Sequence, residues 1–227
     1  MRFAGRLRLS LPEGWTSISE ADLKATVQAV RKPSKTAHYD AAFQQQGSPL
    51  FAYPYVLVEV VPYPTRHEPS KADIRGMIAK MGNSSKPDNL TPEAAKMIGP
   101  SSVGDVVYDE KRMPFAFGLR SEIAGIGPVR GYCTGFIGHS ALVNVLCYCL
   151  ESDSARFQPL FDQVAGSFRD DAAAAFKGTT PDPKSLWDGV LEKALVNAVV
   201  GCFFGVVFGL NQWLKRSRLP KAKPTIA

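Results

Sequence analysis

Ala141-Leu142-Val143-Asn144-Val145-Leu146-Cys147-Tyr148-Cys149-Leu150 is apolar throughout except at Asn144. A strand sends alternate side chains to opposite faces, so this one is apolar on both and must be covered on both sides. Tyr55-Val56-Leu57-Val58-Glu59-Val60-Val61 is β-branched and nearly all apolar, and reads as another central strand closed by Pro62 and Pro64. The fold must therefore supply a layer on each side of a sheet.

Outward from residue 141 the pattern continues as strands over about 103–110, 114–123 and 128–137. Gly125-Ile126-Gly127-Pro128 and Gly138-His139-Ser140 are the turns between them. Connections this short make the pairs antiparallel. Further back, Arg6-Leu7-Arg8-Leu9-Ser10-Leu11 alternates as a half-buried strand, and Pro12-Glu13-Gly14 turns the chain into Trp15. Ser19-Glu20-Ala21-Asp22 resembles a capping box, with Leu23, Val27 and Val30 as the buried stripe of the helix that follows and Pro33 at its end. Residues 34–50 read as a polar loop holding His38, Tyr39, Asp40 and the run Gln44-Gln45-Gln46. A helix is expected from Ser70, with Ile74, Met77, Ile78 and Met81 packing as core, and a short one at Thr91-Pro92-Glu93. After the last strand, Ser152 or Asp153 caps a helix whose stripe is Phe157, Leu160, Phe161, Val164 and Phe168, with Pro159 in or near its first turns. The expected class is α+β: a mainly antiparallel sheet of about six strands flanked by helices, an α/β/α sandwich.

Three features resemble the PsbP-like α/β/α sandwich superfamily, which includes photosystem II extrinsic subunits, a Ran-GTPase-release factor and many uncharacterised bacterial proteins. They are the opening strand running into Leu11-Pro12-Glu13-Gly14-Trp15, the strand meander from 103 to 150, and the passage ending Phe157…Phe161…Ser167-Phe168. The resemblance covers residues 3–169 and implies a binding or assembly role, since that superfamily is mostly non-enzymatic. It carries no functional residue over, because no motif matches position by position. The expected division is a sandwich domain at 1–169, a linker at 170–185 with the turn residues Gly178-Thr179-Thr180-Pro181-Asp182-Pro183, a membrane helix at 186–214 and a basic tail at 215–227.

The membrane reading rests on Ala194–Leu214. No charge falls between Lys193 and Lys215, and Asn197 is the only polar side chain from Ala194 to Leu210, a stretch at the lower limit for a span. Trp187 and Trp213 border it, roughly 39 Å apart along a helix, as interfacial anchors. Gly201, Gly205 and Gly209 recur every four residues on one face and, with Asn197 in the same register, predict a close helix–helix contact in lipid, with another copy or another protein. Lys215, Arg216 and Arg218 follow, where anionic headgroups would meet them. The competing reading makes the stretch a buried C-terminal helix of the soluble domain.

Charge supports the lipid assignment. Residues 215–227 hold five of the 27 basic residues and no acid, leaving 22 bases against 21 acids elsewhere. A nucleic-acid-binding domain shows its basic face in the folded part, so no nucleic acid is expected. The N-terminus lacks an apolar run behind its charges, which speaks against export, whereas the basic tail by itself would be held in the cytoplasm. Weighing the missing signal more heavily puts the domain on the cytoplasmic side of a bacterial inner membrane crossed once.

Catalytic signatures are absent from the sequence. Gly138-His139-Ser140-Ala141-Leu142 lacks the second Gly of a nucleophile elbow and lies between strands. Gly125-Ile126-Gly127-Pro128-Val129-Arg130 has Arg where a dinucleotide fingerprint needs Gly. His38, His67 and His139 are scattered over loops. Cys147 and Cys149 face one way and, with Cys133, offer three thiols, but tetrahedral sites usually draw ligand pairs from turns. Buried free thiols are the simpler account, with Cys202 inside the apolar stretch. No metal, cofactor or catalytic residue is assigned. The expected function is a membrane-anchored, non-catalytic binding or assembly module; the alternative is an accessory subunit of a membrane complex held through the Gly-rich helix.

Overall fold

The computed structural model describes residues 2–3, 7–30, 39–62, 90–108, 114–137 and 141–170, together with Ala198, Gly201 and Phe204. The helix expected from Ser70 lies outside the described residues, as do His38, His67, His139 and Cys202.

The order is β1 (Arg2–Phe3), β2 (Leu7–Arg8), β3 (Trp15–Ser17), α1 (Glu20–Val30), β4 (Ala41–Gln45), β5 (Tyr55–Pro62), α2 (Pro92–Met97), β6 (Ile98–Tyr108), β7 (Pro114–Ile123), β8 (Gly127–Ile137), β9 (Ala141–Leu150), α3 (Ser154–Gly166) and β10 (Arg169–Asp170). Seven strands form one antiparallel sheet in the order β3-β4-β5-β9-β8-β7-β6. The two most apolar strands, β5 and β9, are neighbours near its centre, as burial on both faces requires. A small sheet β2 with β1 and β10 on either side ties the two ends of the domain together. The strand expected at 6–11 shrinks to Leu7–Arg8 and joins this small sheet, while Leu9 is buried under the main one.

Two other expectations change. The loop at 34–50 contains a strand, β4, which pairs with β3 and β5. Its glutamines hid it, yet Gln44 is 7% exposed because its amide is used inside: Nε2 donates to the Ser48 carbonyl at 2.9 Å and Oε1 accepts from the Phe51 N–H at 2.8 Å. A buried amide with both ends bonded costs little. The sheet thus has seven strands, and β6 begins at Ile98, directly after α2, not at 103.

Local signals hold elsewhere. Ser19 Oγ accepts from the Asp22 N–H at 3.1 Å and donates to its carboxylate at 2.6 Å, starting α1. Thr91 Oγ1 accepts from the Ala94 N–H at 3.3 Å and caps α2. The β7–β8 turn needs Gly125 and Gly127, whose φ values of 78° and 103° suit glycine.

Each face has its own core. On one, Phe43, Val56, Val58, Val143, Val145, Cys147 and Cys149 meet Phe157, Phe161 and Val164 of α3. On the other, Tyr55, Leu57, Leu142, Leu146, Tyr148 and Cys133 lie with Leu23 and Val30 of α1, with Tyr39 and Phe51 from loops, and with Ala198 and Phe204. The core therefore extends beyond the domain expected at 1–169: among the described residues, Ala198 and Phe204 of the C-terminal apolar stretch join it, 1% and 0% exposed.

Candidate functional site

Register builds the site. In the β5–β9 pair Tyr55 lies opposite Tyr148 and Glu59 opposite Asn144. Both pairs point to the face away from α3. The Tyr55 and Tyr148 rings are 5.3 Å apart, Tyr53 stacks on Tyr55 at 5.1 Å, and Phe51 meets Tyr55 edge-on at 5.5 Å. Gly131, opposite Tyr148 on β8, makes room for its ring: a Cβ there would lie 3.1 Å from the ring edge. Gly135, opposite both Asn144 and Phe115, does the same for the Phe115 ring, which a Cβ would overlap.

Into this cradle come Ala198, Gly201 and Phe204, all helical and three residues apart. Tyr148 Oη donates to the Ala198 carbonyl at 2.6 Å, and Tyr55 Oη donates to the Gly201 carbonyl at 2.5 Å. The Phe204 ring lies edge-on to Phe51 at 4.9 Å and to Tyr39 at 5.2 Å. Gly201 is required by the fit, since a Cβ on it would run into the Tyr148 hydroxyl and lie 2.8 Å from the ring carbon that bears it. Burying a Phe side chain is worth about 1.5–3 kcal/mol. Each hydroxyl–carbonyl bond adds about 0.5–1.5 kcal/mol net, and each aromatic pair a similar amount.

Phe51 carries a backbone cost in this cradle. Its φ of 54° puts a bulky residue in the left-handed region. Its N–H is held by Gln44 and its ring by Tyr55 and Phe204. Backbone held in such a region persists where its surroundings over-determine it, and this happens most at binding sites.

Four residues along from the tyrosines, Asn144 Nδ2 donates to Glu59 Oε2 at 3.0 Å. Glu59 is 3% and Asn144 0% exposed, and among the described residues Asn144 Oδ1 has no hydrogen-bond partner. The pair is a polar island in the apolar face.

The thiols do not converge. Cys133 pairs with Leu146, so it lies on the cradle face, whereas Cys147 and Cys149 face α3. This corrects the three-thiol arrangement: alternation along β8 and β9 puts Cys133 on the wrong side of the sheet. All three are free and buried. Burial, and secondarily the nearby Glu59 charge, raises the Cys133 thiol well above its ordinary range. Burial also raises Cys147, and pushes Cys149 up to about 12. Thiols held protonated are poor nucleophiles and poor ligands. Among the described residues no group of three or more His, Cys, Asp or Glu is placed to hold a metal.

At the sheet's surface Arg120 Nε lies 3.0 Å from both Glu151 oxygens, Arg130 Nε donates to Glu151 at 2.8 Å, and Arg120 also pairs with Glu122 at 2.7 Å. Hydrogen bonding to Arg120, then Arg130, lowers the Glu151 carboxyl. The group braces β7, β8 and the turn Glu151–Asp153 that precedes α3.

Of the residues singled out by sequence, Gly201 is in the site, but its small face meets Tyr148 of the sheet. Asn197, Gly205, Gly209, Trp187, Trp213, Lys215, Arg216 and Arg218 lie outside the described residues. No helix among the described residues is long and apolar enough to cross a membrane. Sequence reasoning missed Tyr55, Tyr148, Phe51 and Glu59. A signal for them existed: Tyr55 and Glu59 are four apart, as are Asn144 and Tyr148, so one antiparallel register pairs both sets.

No protein-family model matches this chain, and no curated protein matches it. Among solved structures it is similar to the solution structure of cyanobacterial PsbP (CyanoP) from Synechocystis sp. PCC 6803, with 12% identity over 73% of this chain and 92% of that one and a TM-score of 0.46.

Proposed function

We propose that this chain is a non-catalytic binding or assembly module attached to a bilayer through its C-terminal segment. The observation that carries the reading is the run Ala194–Leu214, uncharged, bordered by Trp187 and Trp213 and followed by five basic residues. Ten of its residues from Ala194 to Leu210 are Val, Leu or Phe. At about −0.3 to −0.6 kcal/mol each for positions at the centre of a bilayer, they favour insertion by at most about 3–6 kcal/mol, before the costs of Asn197 and the three glycines. Lys215, Arg216 and Arg218 suit anionic headgroups. The sandwich then works at the cytoplasmic surface of an inner membrane, and Gly205 and Gly209 meet another helix in lipid, of a second copy or of a complex in which this chain is an accessory subunit.

Flotation of the full chain with membranes, resistant to high salt and to alkaline carbonate, is the expected result. A full chain that stays in the soluble fraction when membranes are present would sink the reading. Gly205→Leu should abolish oligomers in mild detergent; unchanged oligomer size removes the helix–helix contact from the proposal.

A second reading has its own support in the two tyrosine bonds to Ala198 and Gly201. In it the segment is the permanent cover of the sheet. The same flotation separates the two.

A further inference from the structure

We infer that the Tyr55–Tyr148 cradle is an internal docking site for the membrane segment, which alternates between the sheet and the bilayer. The inference rests on the membrane reading above and adds a second resting place for the same residues.

Three observations carry it. First, the fit is specific to a small-residue helix. The tyrosine hydroxyls reach carbonyls three residues apart, and Gly201 lets the backbone approach where any Cβ would strike Tyr148. Second, the contact can be undone without leaving a backbone group unpaired. A carbonyl has two lone pairs, so a helical carbonyl that loses a tyrosine hydroxyl keeps the capacity for its intrahelical bond, as lipid demands. The hydroxyls released at the sheet return to water. Third, Phe51, whose ring meets Phe204, is held with a φ of 54°, a strained backbone of the kind that clusters at binding and switch sites.

The two placements exclude each other. Ala198 and Phe204 are 1% and 0% exposed against the sheet, and neither can meet lipid while it is there. The five basic residues after Leu214 bias the exchange toward anionic surfaces, in a salt-dependent way.

The test is photo-crosslinking from p-benzoylphenylalanine in place of Phe204, in the full chain made by cell-free synthesis with or without phosphatidylcholine–phosphatidylglycerol vesicles. Without vesicles, crosslinks to peptides containing Tyr39 or Phe51 are expected. With vesicles, the protein should float and those crosslinks should vanish. Crosslinks retained on floated protein overturn the alternation and leave the membrane reading standing. Crosslinked protein that never floats overturns the membrane reading, and the inference with it. Floated protein that gives no crosslink before vesicles are added removes the docking site. The double variant Tyr55→Phe/Tyr148→Phe keeps the rings and removes both hydroxyl bonds. It should shift the docked-to-inserted ratio toward vesicles by roughly tenfold; an unchanged ratio also counts against the docking site.

Discussion

The two faces of the sheet are covered in different ways. Under α3 the cover is mainly local and apolar, with Leu9 joining it from the N-terminal end. It begins straight after β9, and Phe157, Phe161 and Val164 pack on Val143, Val145, Cys147 and Cys149 of the strand just finished. The cradle face is covered by pieces from far along the chain: α1, the loops carrying Tyr39 and Phe51, and the C-terminal residues Ala198 and Phe204. Its closure includes hydrogen bonds from Tyr55 and Tyr148 to positions 146 and 50 residues away. A local apolar cover is expected to form with the sheet and to be lost with it. A distant cover held by a few directed bonds is the one expected to separate on its own, because its removal uncovers one patch and not the whole core.

The largest effect that would break this contrast is expected from Phe161→Ala. Phe161 is 1% exposed, and truncation under α3 should cost about 3–5 kcal/mol, read as a fall in the urea midpoint of the whole domain. A local loss confined to α3 would show that this face is separable too. Gly135→Ala comes next, since its Cβ would overlap the Phe115 ring on the cradle face. Overpacking of this kind costs about 1–3 kcal/mol, and stability unchanged in thermal unfolding would mean that the ring moves freely.

Cysteine labelling sharpens the comparison further. Cys133 is on the cradle face, and Cys147 and Cys149 are under α3. Alkylation followed by peptide mass spectrometry should modify Cys133 before the other two when vesicles are present; equal protection would mean that the cradle face stays shut. The raised thiols also set a pH dependence. In the unfolded chain they ionise near pH 8.5–9, about the ordinary thiol value, whereas the folded forms stay protonated well above it. Their contribution to stability is therefore full below that pH and is lost as pH rises toward the folded values. Denaturation midpoints that fail to fall between neutral pH and pH 10 (roughly one unit past the free-thiol value) would contradict it.

The smallest effect is expected from Glu151→Gln at the exposed Arg120–Glu151–Arg130 group. Here the carboxyl is lowered, so its contribution is present above the unfolded carboxyl value and disappears as pH falls through the folded one. Solvent and salt screen such pairs, and the variant should differ from the parent only at low ionic strength.

How much was legible follows from the range of each signal. Ser19 and Thr91 as caps, the strands at 114–123, 128–137 and 141–150, and the stripe Phe157-Phe161-Val164 are set by neighbours a few residues away. β4 was not legible, because a glutamine looks polar until its amide is seen closed on Ser48 and Phe51. The candidate site was legible only in fragments. Asn144 stood out as a polar exception and Gly201 as a small residue, but each was assigned without its partner.

By itself the sequence determined that two strands are apolar on both faces, that the sheet must be covered twice, and that a Gly-rich uncharged segment is available near the C-terminus. These are properties of composition and period, which local physics dictates. Only the tertiary structure decided that β5 and β9 are neighbours in a register that sets Tyr55 beside Tyr148, that Cys133 turns away from Cys147 and Cys149, and that Gly201 faces a tyrosine. Those facts depend on which strands meet and which residues oppose one another. Period alone leaves that choice open, and packing of the whole sheet makes it.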